Sequence, residues 1–316
     1  MRRTVRLLGV WTLGLAMLSL GCNRGGSNGV AIVTEPEASG PVLTPVEAKG
    51  YGTITGVVTF DGTPPLMKPI AMGDHPHAPH CQSKDLMDES WVVNPTNRGV
   101  ANVVVWVKPP KGSFFPLPPD AQKTWTDEVH MDQPKCAFTP RVVTMFPEYY
   151  DAQANKLRST SQLLVIRNDS PVVHSAEILG SIAQNSSQIT TIPAKVPGGK
   201  PSEQAFRLKS DRNVMTVNCS LHRWMRGFVW AFDHPYSAVT DANGRFEIKH
   251  VPAGSELTFS VWHEQGQLSV PKTGQPITVP ADGTLNLPLT IQMPAPLPTP
   301  PMPMLDPAGS PDAKSK

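Results

Sequence analysis

Long apolar runs are scarce in this chain. Leu7 to Leu20 is the one candidate, and it is too short for an ordinary bilayer-spanning helix, which needs about 20 residues. An excess of charge of either sign is missing too. The chain has 28 Lys and Arg against 26 Asp and Glu, so it has no basic footprint for nucleic acid. No nucleophile–base pair and no Gly-rich phosphate loop are visible, which leaves hydrolytic and nucleotide chemistry without a carrier. Helical periodicity is weak throughout, and residues 148–158 (EYYDAQANKLR) are the best candidate for a short helix. Cysteine is sparse, at four residues.

What is present reads as β. Tyr51 to Phe60 alternates and ends at the turn pair Asp61-Gly62. Val100 to Val107 is β-branched and stops at Pro109-Pro110. Gln162 to Arg167 is a short buried run closed by Asn168-Asp169-Ser170-Pro171. Further strands are expected at Asn213 to Asn218, Phe228 to Phe232, Arg245 to Ile248, Glu256 to Trp262 and Leu285 to Ile291. The prolines and glycines between them suit sandwich turns.

The two ends are not fold. Arg2, Arg3 and Arg6 precede the apolar run, and Leu18-Ser19-Leu20-Gly21-Cys22 follows, a secretion-signal pattern. It resembles the lipobox of bacterial lipoproteins, although Leu20 is larger than the usual residue there. That resemblance implies cleavage after residue 21, acylation of Cys22 and an extracytoplasmic lipid anchor to a bacterial cell membrane, on its periplasmic side or outer surface; an uncleaved anchor or plain secretion is the competing arrangement. Residues 23–50, rich in Gly, Ser and Pro, are expected to form a flexible tether. The Pro-dense tail, 293–316, lacks the periodicity to pack and is expected to be disordered.

Cysteine arithmetic and ligand spacing carry the chemistry. In an oxidising compartment paired cysteines become disulfides. With Cys22 acylated, Cys81, Cys136 and Cys219 remain, and an odd number leaves one thiol free. If Cys219 is a metal ligand, Cys81 and Cys136 pair with each other; a bridge to Cys219 is the competing arrangement. The segment VNCSLHRWM places Cys219, His222 and Met225 at three-residue steps, and His174 lies just past the end of a buried strand. Two imidazoles and a thiolate in a plane, with a weaker thioether on the axis, suit copper cycling between two oxidation states. Zinc is the rival ion, but it prefers a closed tetrahedral set and Met225 is a poor ligand for it. Taken singly, a buried cysteine or methionine is ordinary packing.

The loop Cys219-x2-His222-x2-Met225 resembles the shortest ligand loop of the cupredoxins, the small blue-copper proteins. Cys136-Ala137-Phe138-Thr139-Pro140 resembles that family's Phe-x-Pro strand, and Asn168 to His174 resembles its Asn-bearing approach to the first histidine. Gly52-Thr53-Ile54-Thr55-Gly56-Val57-Val58, Ala101 to Val107 and Asp241 to Ile248 resemble strands of carboxypeptidase-regulatory, transthyretin-like sandwiches. The whole chain is similar to exported bacterial proteins that combine the two, in which His234-Pro235-Tyr236 and Ala238-Val239-Thr240-Asp241 recur. It departs from them in three places. Arg223 replaces a proline, and Glu177 and Arg141 stand where histidines are frequent.

These resemblances imply an all-β fold. A cupredoxin Greek-key sandwich, residues 127–235, would be inserted in or packed against a second sandwich built from 51–126 and 236–292. They imply one type 1 copper held by His174, Cys219, His222 and Met225, with Trp224 packed over the loop. The function implied is single-electron transfer rather than catalysis, with a redox protein, such as a cytochrome, as partner. Two other readings stand beside it. One is a copper carrier or store, and the other is a metal-free surface sandwich binding glycan or protein. His75-Pro76-His77-Ala78-Pro79-His80-Cys81 contains a His-x-His pair of the kind seen in multicopper oxidases. Such enzymes also need a His-Cys-His centre, which is missing, so this segment is expected to be an exposed loop. His263 and Glu264 read as an ordinary strand-end pair.

Overall fold

The computed structural model describes residues 41–81, 86–117 and 126–294. The signal segment with Cys22, the tether up to residue 40 and the tail beyond residue 294 lie outside these residues. Regular structure among the described residues is nearly all strand, with one helical turn at Ala78–Cys81. No helix among them is long and apolar enough to cross a membrane. The all-β expectation is borne out.

One sandwich grows from the strand Tyr51–Phe60, in which every second residue is buried. It pairs antiparallel with Arg245–Pro252 and parallel with Thr284–Asn286 and Leu289–Gln292. The facing sheet runs Ser237–Val239, Val104–Lys108, Glu256–Trp262, Gln275–Thr278. Ile54, Val58, Phe246 and Ile248 from the first sheet meet Val105, Val107, Leu257 and Phe259 from the second in one core. The turn into Arg245–Pro252 is local chemistry. Asp241 Oδ1 accepts the amide N–H groups of Asn243 and Arg245, each at 2.8 Å. Gly244 takes a φ of +74°, a conformation that costs a glycine little.

The other sandwich has a sheet ordered Gln188–Ile192, His174–Leu179, Met215–Asn218, Arg226–Ala231, Val142–Met145. Its partner sheet is Ser202–Phe206, Leu163–Asn168, Glu128–Asp132. Ile178, Met215, Val217 and Val229 pack against Met131, Leu164, Ile166 and Phe206.

The two sandwiches share a wall. Side chains alternate across a strand, and two strands bury both of their faces. Val105 and Val107 point into the first core, while Val104 and Trp106 point the other way. Val229 and Ala231 belong to the second core, while Phe228 and Trp230 turn outward to meet Val104 and Trp106. The Trp106 and Trp230 ring centroids are 4.3 Å apart. This explains the unbroken apolar text of Val103 to Val107. A strand covered on both faces has no need of alternating polarity.

Three expectations are corrected. Residues 148–158 form no helix but a hairpin of Glu148–Asp151 and Lys156–Ser159. Asp151 Oδ1 accepts the amides of Gln153 (2.9 Å) and Ala154 (3.2 Å), an Asx turn, and Asn155 has a φ of +50°. Adjacent tyrosines favour the pleated surface of a strand. The tether is fixed at its end: Thr44–Pro45 pairs with Ser113–Phe114 and Val46 is buried. Backbone bonds from Val46 to Phe114 and from Lys49 to Ala253 hold it there together with the buried Val46 side chain. Met72, Ala78, Cys81 and Leu86, expected in the outer sandwich, pack instead with the core of residues 131–231.

The shared wall predicts a cost for opening it. Trp230→Ala removes a ring buried between the two sandwiches and should destabilise the protein by about 3–5 kcal/mol, read from urea unfolding. A loss under about 1 kcal/mol would mean that this layer contributes no core.

Candidate metal centre

The site lies where two neighbouring strands run out. The antiparallel register Glu177↔Asn218, Ile178↔Val217 sets the start of one strand, His174 and Ser175, beside the end of the other, Cys219. The approach to His174 is held by Asn168, which is fully buried. Its Nδ2 faces the carbonyls of Val172 (2.9 Å), Ile192 (3.1 Å) and Pro193 (2.9 Å). Its Oδ1 accepts from the Ser170 amide (3.0 Å) and hydroxyl (2.8 Å). The amide therefore ties together the loop that delivers His174.

On the other side the chain doubles back tightly. Met225 N–H donates to the His222 carbonyl at 2.9 Å, and Cys219 N–H donates to the Met225 carbonyl at 3.3 Å. Three-residue spacing thus becomes a closed loop that turns Cys219 and His222 inward. Met225, expected as the fourth ligand, is buried in the same apolar core as Cys219.

Three of the expected ligands converge. His174 Nδ1 lies 3.0 Å from His222 Nδ1, and Cys219 Sγ lies 3.5 Å from the same His222 Nδ1. All three ligand atoms fall within 4.8 Å of one another, and all three residues are buried. Bond lengths of about 2.0 Å for nitrogen and 2.3 Å for sulfur around one ion put such atoms about 3.0–3.6 Å apart, and the two separations at His222 Nδ1 fall in that range. Protonation also fits. Burial, with the neighbouring imidazoles adding to it, pushes His174 down to about 3 and His222 down to about 4. Both rings are neutral near pH 7, and a neutral ring offers a lone pair. His174 Nε2 is buried without a hydrogen-bond partner.

The sulfur has company that the sequence reading missed. The Ser175 amide donates to Cys219 Sγ at 3.3 Å and its hydroxyl lies at 3.6 Å. The Ser220 amide in turn donates to the Ser175 hydroxyl oxygen at 2.8 Å. Hydrogen bonds of this kind stabilise negative charge on sulfur. The only textual signal was that Ser175 directly follows His174.

Cys81 and Cys136 form a disulfide, and Cys219 is free and buried. The exposed-loop expectation for the segment ahead of Cys81 is corrected in part. His80 is exposed, but His75 and His77 are half-buried against the Cys219–Met225 loop. His77 Nδ1 lies 2.9 Å from His222 Nε2, and His75 Nε2 lies 3.0 Å from the Leu221 carbonyl. Trp224 packs by the loop as expected, its ring 5.2 Å from that of His222, and its indole N–H donates to the Cys136 carbonyl at 3.2 Å. Arg141, standing in a histidine's place, makes a two-pronged ion pair with Glu264 (2.7 and 3.0 Å) that ties the two sandwiches together. His263 is buried, and its Nδ1 accepts the amides of Gln265 (3.3 Å) and Gly266 (3.0 Å), a strand-end turn.

No protein-family model and no curated protein matches this chain. Among solved structures it is similar to cupredoxins over about a third of its length. Amicyanin from Paracoccus versutus aligns at 14% identity over 34% of this chain and 83% of its own, with a TM-score of 0.23. A purple cupredoxin from Nitrosopumilus maritimus aligns at 12% identity over 33% of this chain and 98% of its own, also with a TM-score of 0.23.

Burial of Cys219 predicts its reactivity. In the native, metal-free protein a thiol alkylating agent should leave residue 219 unlabelled for hours, and in urea it should label at once. Cys81 and Cys136 should label only after reduction. Mass mapping that finds Cys219 in a disulfide would exclude the arrangement.

Proposed function

We propose that the chain is an extracytoplasmic, lipid-anchored protein that holds one copper ion and passes single electrons. The observation that supports it is the meeting of His174 Nδ1, His222 Nδ1 and Cys219 Sγ in a buried space. The copper would supply the one-electron couple. His174, His222 and Cys219 would hold it, with Met225 as a weak fourth ligand that tunes the potential. Imidazoles serve both oxidation states, and the soft sulfurs favour the reduced one. Asn168 and the closed Cys219–Met225 turn hold the ligands in place, so little need move when charge changes. Burial excludes water, which keeps small the solvent rearrangement that accompanies each transfer. The reaction consumes no substrate, and the partner is another redox protein, such as a cytochrome. The anchor at Cys22 rests on the sequence pattern alone.

Copper(II) added to the metal-free protein should give an intense visible band. Cys219→Ser should abolish that band while shifting unfolding by less than about 2 kcal/mol, because the sandwiches and not the ion supply the stability. A colourless protein with stoichiometric zinc, or global unfolding of the variant, would overturn the proposal. Rapid reduction of the loaded protein by a cytochrome without loss of metal is expected; metal transfer in place of electron transfer would make it a carrier. Cys22→Ser should move the chain from the membrane to the soluble fraction of the producing cells, and full retention in the membrane would exclude the anchor.

A further inference from the structure

His222 has a neighbour at each ring nitrogen. Nδ1 faces His174 and Cys219, and Nε2 faces Nδ1 of His77 at 2.9 Å. His75, His77 and His222 also bring ligand atoms within 4.8 Å of one another, which raises the question of a second metal ion. The proton inventory answers it. His75 Nε2 lies 3.0 Å from the Leu221 carbonyl, which can only accept, so this nitrogen carries the hydrogen. His75 Nδ1 is then bare, and it accepts the His77 amide N–H at 3.1 Å. Both nitrogens of His75 are spent on backbone, and a three-imidazole site would have to break both bonds. His75 is a clip that fastens its loop to the metal loop.

The same inventory assigns His77. A neutral imidazole carries one hydrogen, on one nitrogen or the other. A His222 ring that presents a bare Nδ1 towards Cys219 must carry its hydrogen at Nε2. That hydrogen points at His77 Nδ1, which accepts it, leaving His77 with its own hydrogen at Nε2. We propose that His77 is a positioning residue for His222. By accepting the Nε2–H it fixes the tautomer and the ring plane that leave Nδ1 free for the metal. Metal-bound histidines commonly donate their second N–H to a fixed acceptor, which also strengthens them as donors. An imidazole in that role, reached from a loop 145 residues away, is built here with some care. The His77 carbonyl accepts the amides of His80 (3.0 Å) and Cys81 (2.9 Å). Cys81 is bonded to Cys136, whose carbonyl holds the Trp224 indole, and Trp224 packs on the rings of both His75 and His222. The acceptor and the ring it serves are therefore anchored to one frame.

The inference rests on the metal reading of His222, and its test separates the two. In metal-free protein, nitrogen-15 spectra of the histidine rings should show His222 protonated at Nε2. In His77→Ala that preference should be lost, with an unchanged circular dichroism spectrum. His77→Asn, whose side-chain oxygen can stand near the position of Nδ1, should restore it. In copper-loaded protein, His77→Ala should lower copper affinity about 10- to 100-fold and raise the reduction potential, and His77→Asn should recover most of both. A His222 hydrogen found at Nδ1, or a His77→Ala protein with wild-type tautomer, affinity and potential, would overturn the inference. If the tautomer behaves as stated but no copper binds, the proposed function fails and the role of His77 in orienting His222 stands.

Discussion

A histidine ring has one mobile hydrogen and two places to keep it, and the geometry around Cys219 depends on where His222 keeps its own. With the hydrogen outward, the inner nitrogen is a lone pair aimed at the space it shares with a thiol and a second imidazole. With the hydrogen inward, that space is blocked. Each surrounding element bears on this choice. The tight backbone turn from Cys219 to Met225 faces the ring inward, burial keeps it neutral, and His77 offers an acceptor on the outer side.

The fold supplies the rest by sheet register. Pairing of His174–Leu179 with Met215–Asn218 places a strand start next to a strand end, so His174 and Cys219, 45 residues apart in sequence, become neighbours without long side chains reaching across. Ser175 exploits the same adjacency, turning its amide onto the sulfur and its hydroxyl onto the following turn. Asn168 performs the matching task on the opposite loop by satisfying backbone carbonyls that would otherwise be buried and bare. The placement of these side chains is thus mostly a backbone matter.

Much of this was readable in the text. The Tyr51–Phe60 strand, with its strict alternation, and Glu256–Trp262 were found to the residue. The Cys219, His222 and Met225 steps were visible because a short loop needs only local spacing. What escaped was whatever depends on distant partners. The prolines around His75 and His77 marked a loop correctly, but nothing local says what a loop lies against, and the contact with His222 arises only once the Cys81–Cys136 link and the Trp224 indole are in place. Residues 148–158 misled because Ala, Gln, Lys and Leu look helical, while the outcome was decided by one aspartate side chain capturing two amides. Ser175 carried only its place after His174; its role is a product of register.

The strands Val104–Lys108 and Arg226–Ala231 each have apolar company on both faces. Two halves joined in this way constrain each other's substitutions. A larger ring on one side of the Trp106–Trp230 layer requires a smaller one on the other. The histidine-and-thiol half is accordingly not a cassette that recombination could lift out and splice elsewhere, because it would leave with a raw hydrophobic flank. The two must drift through sequence space together, and inheritance should preserve them as one.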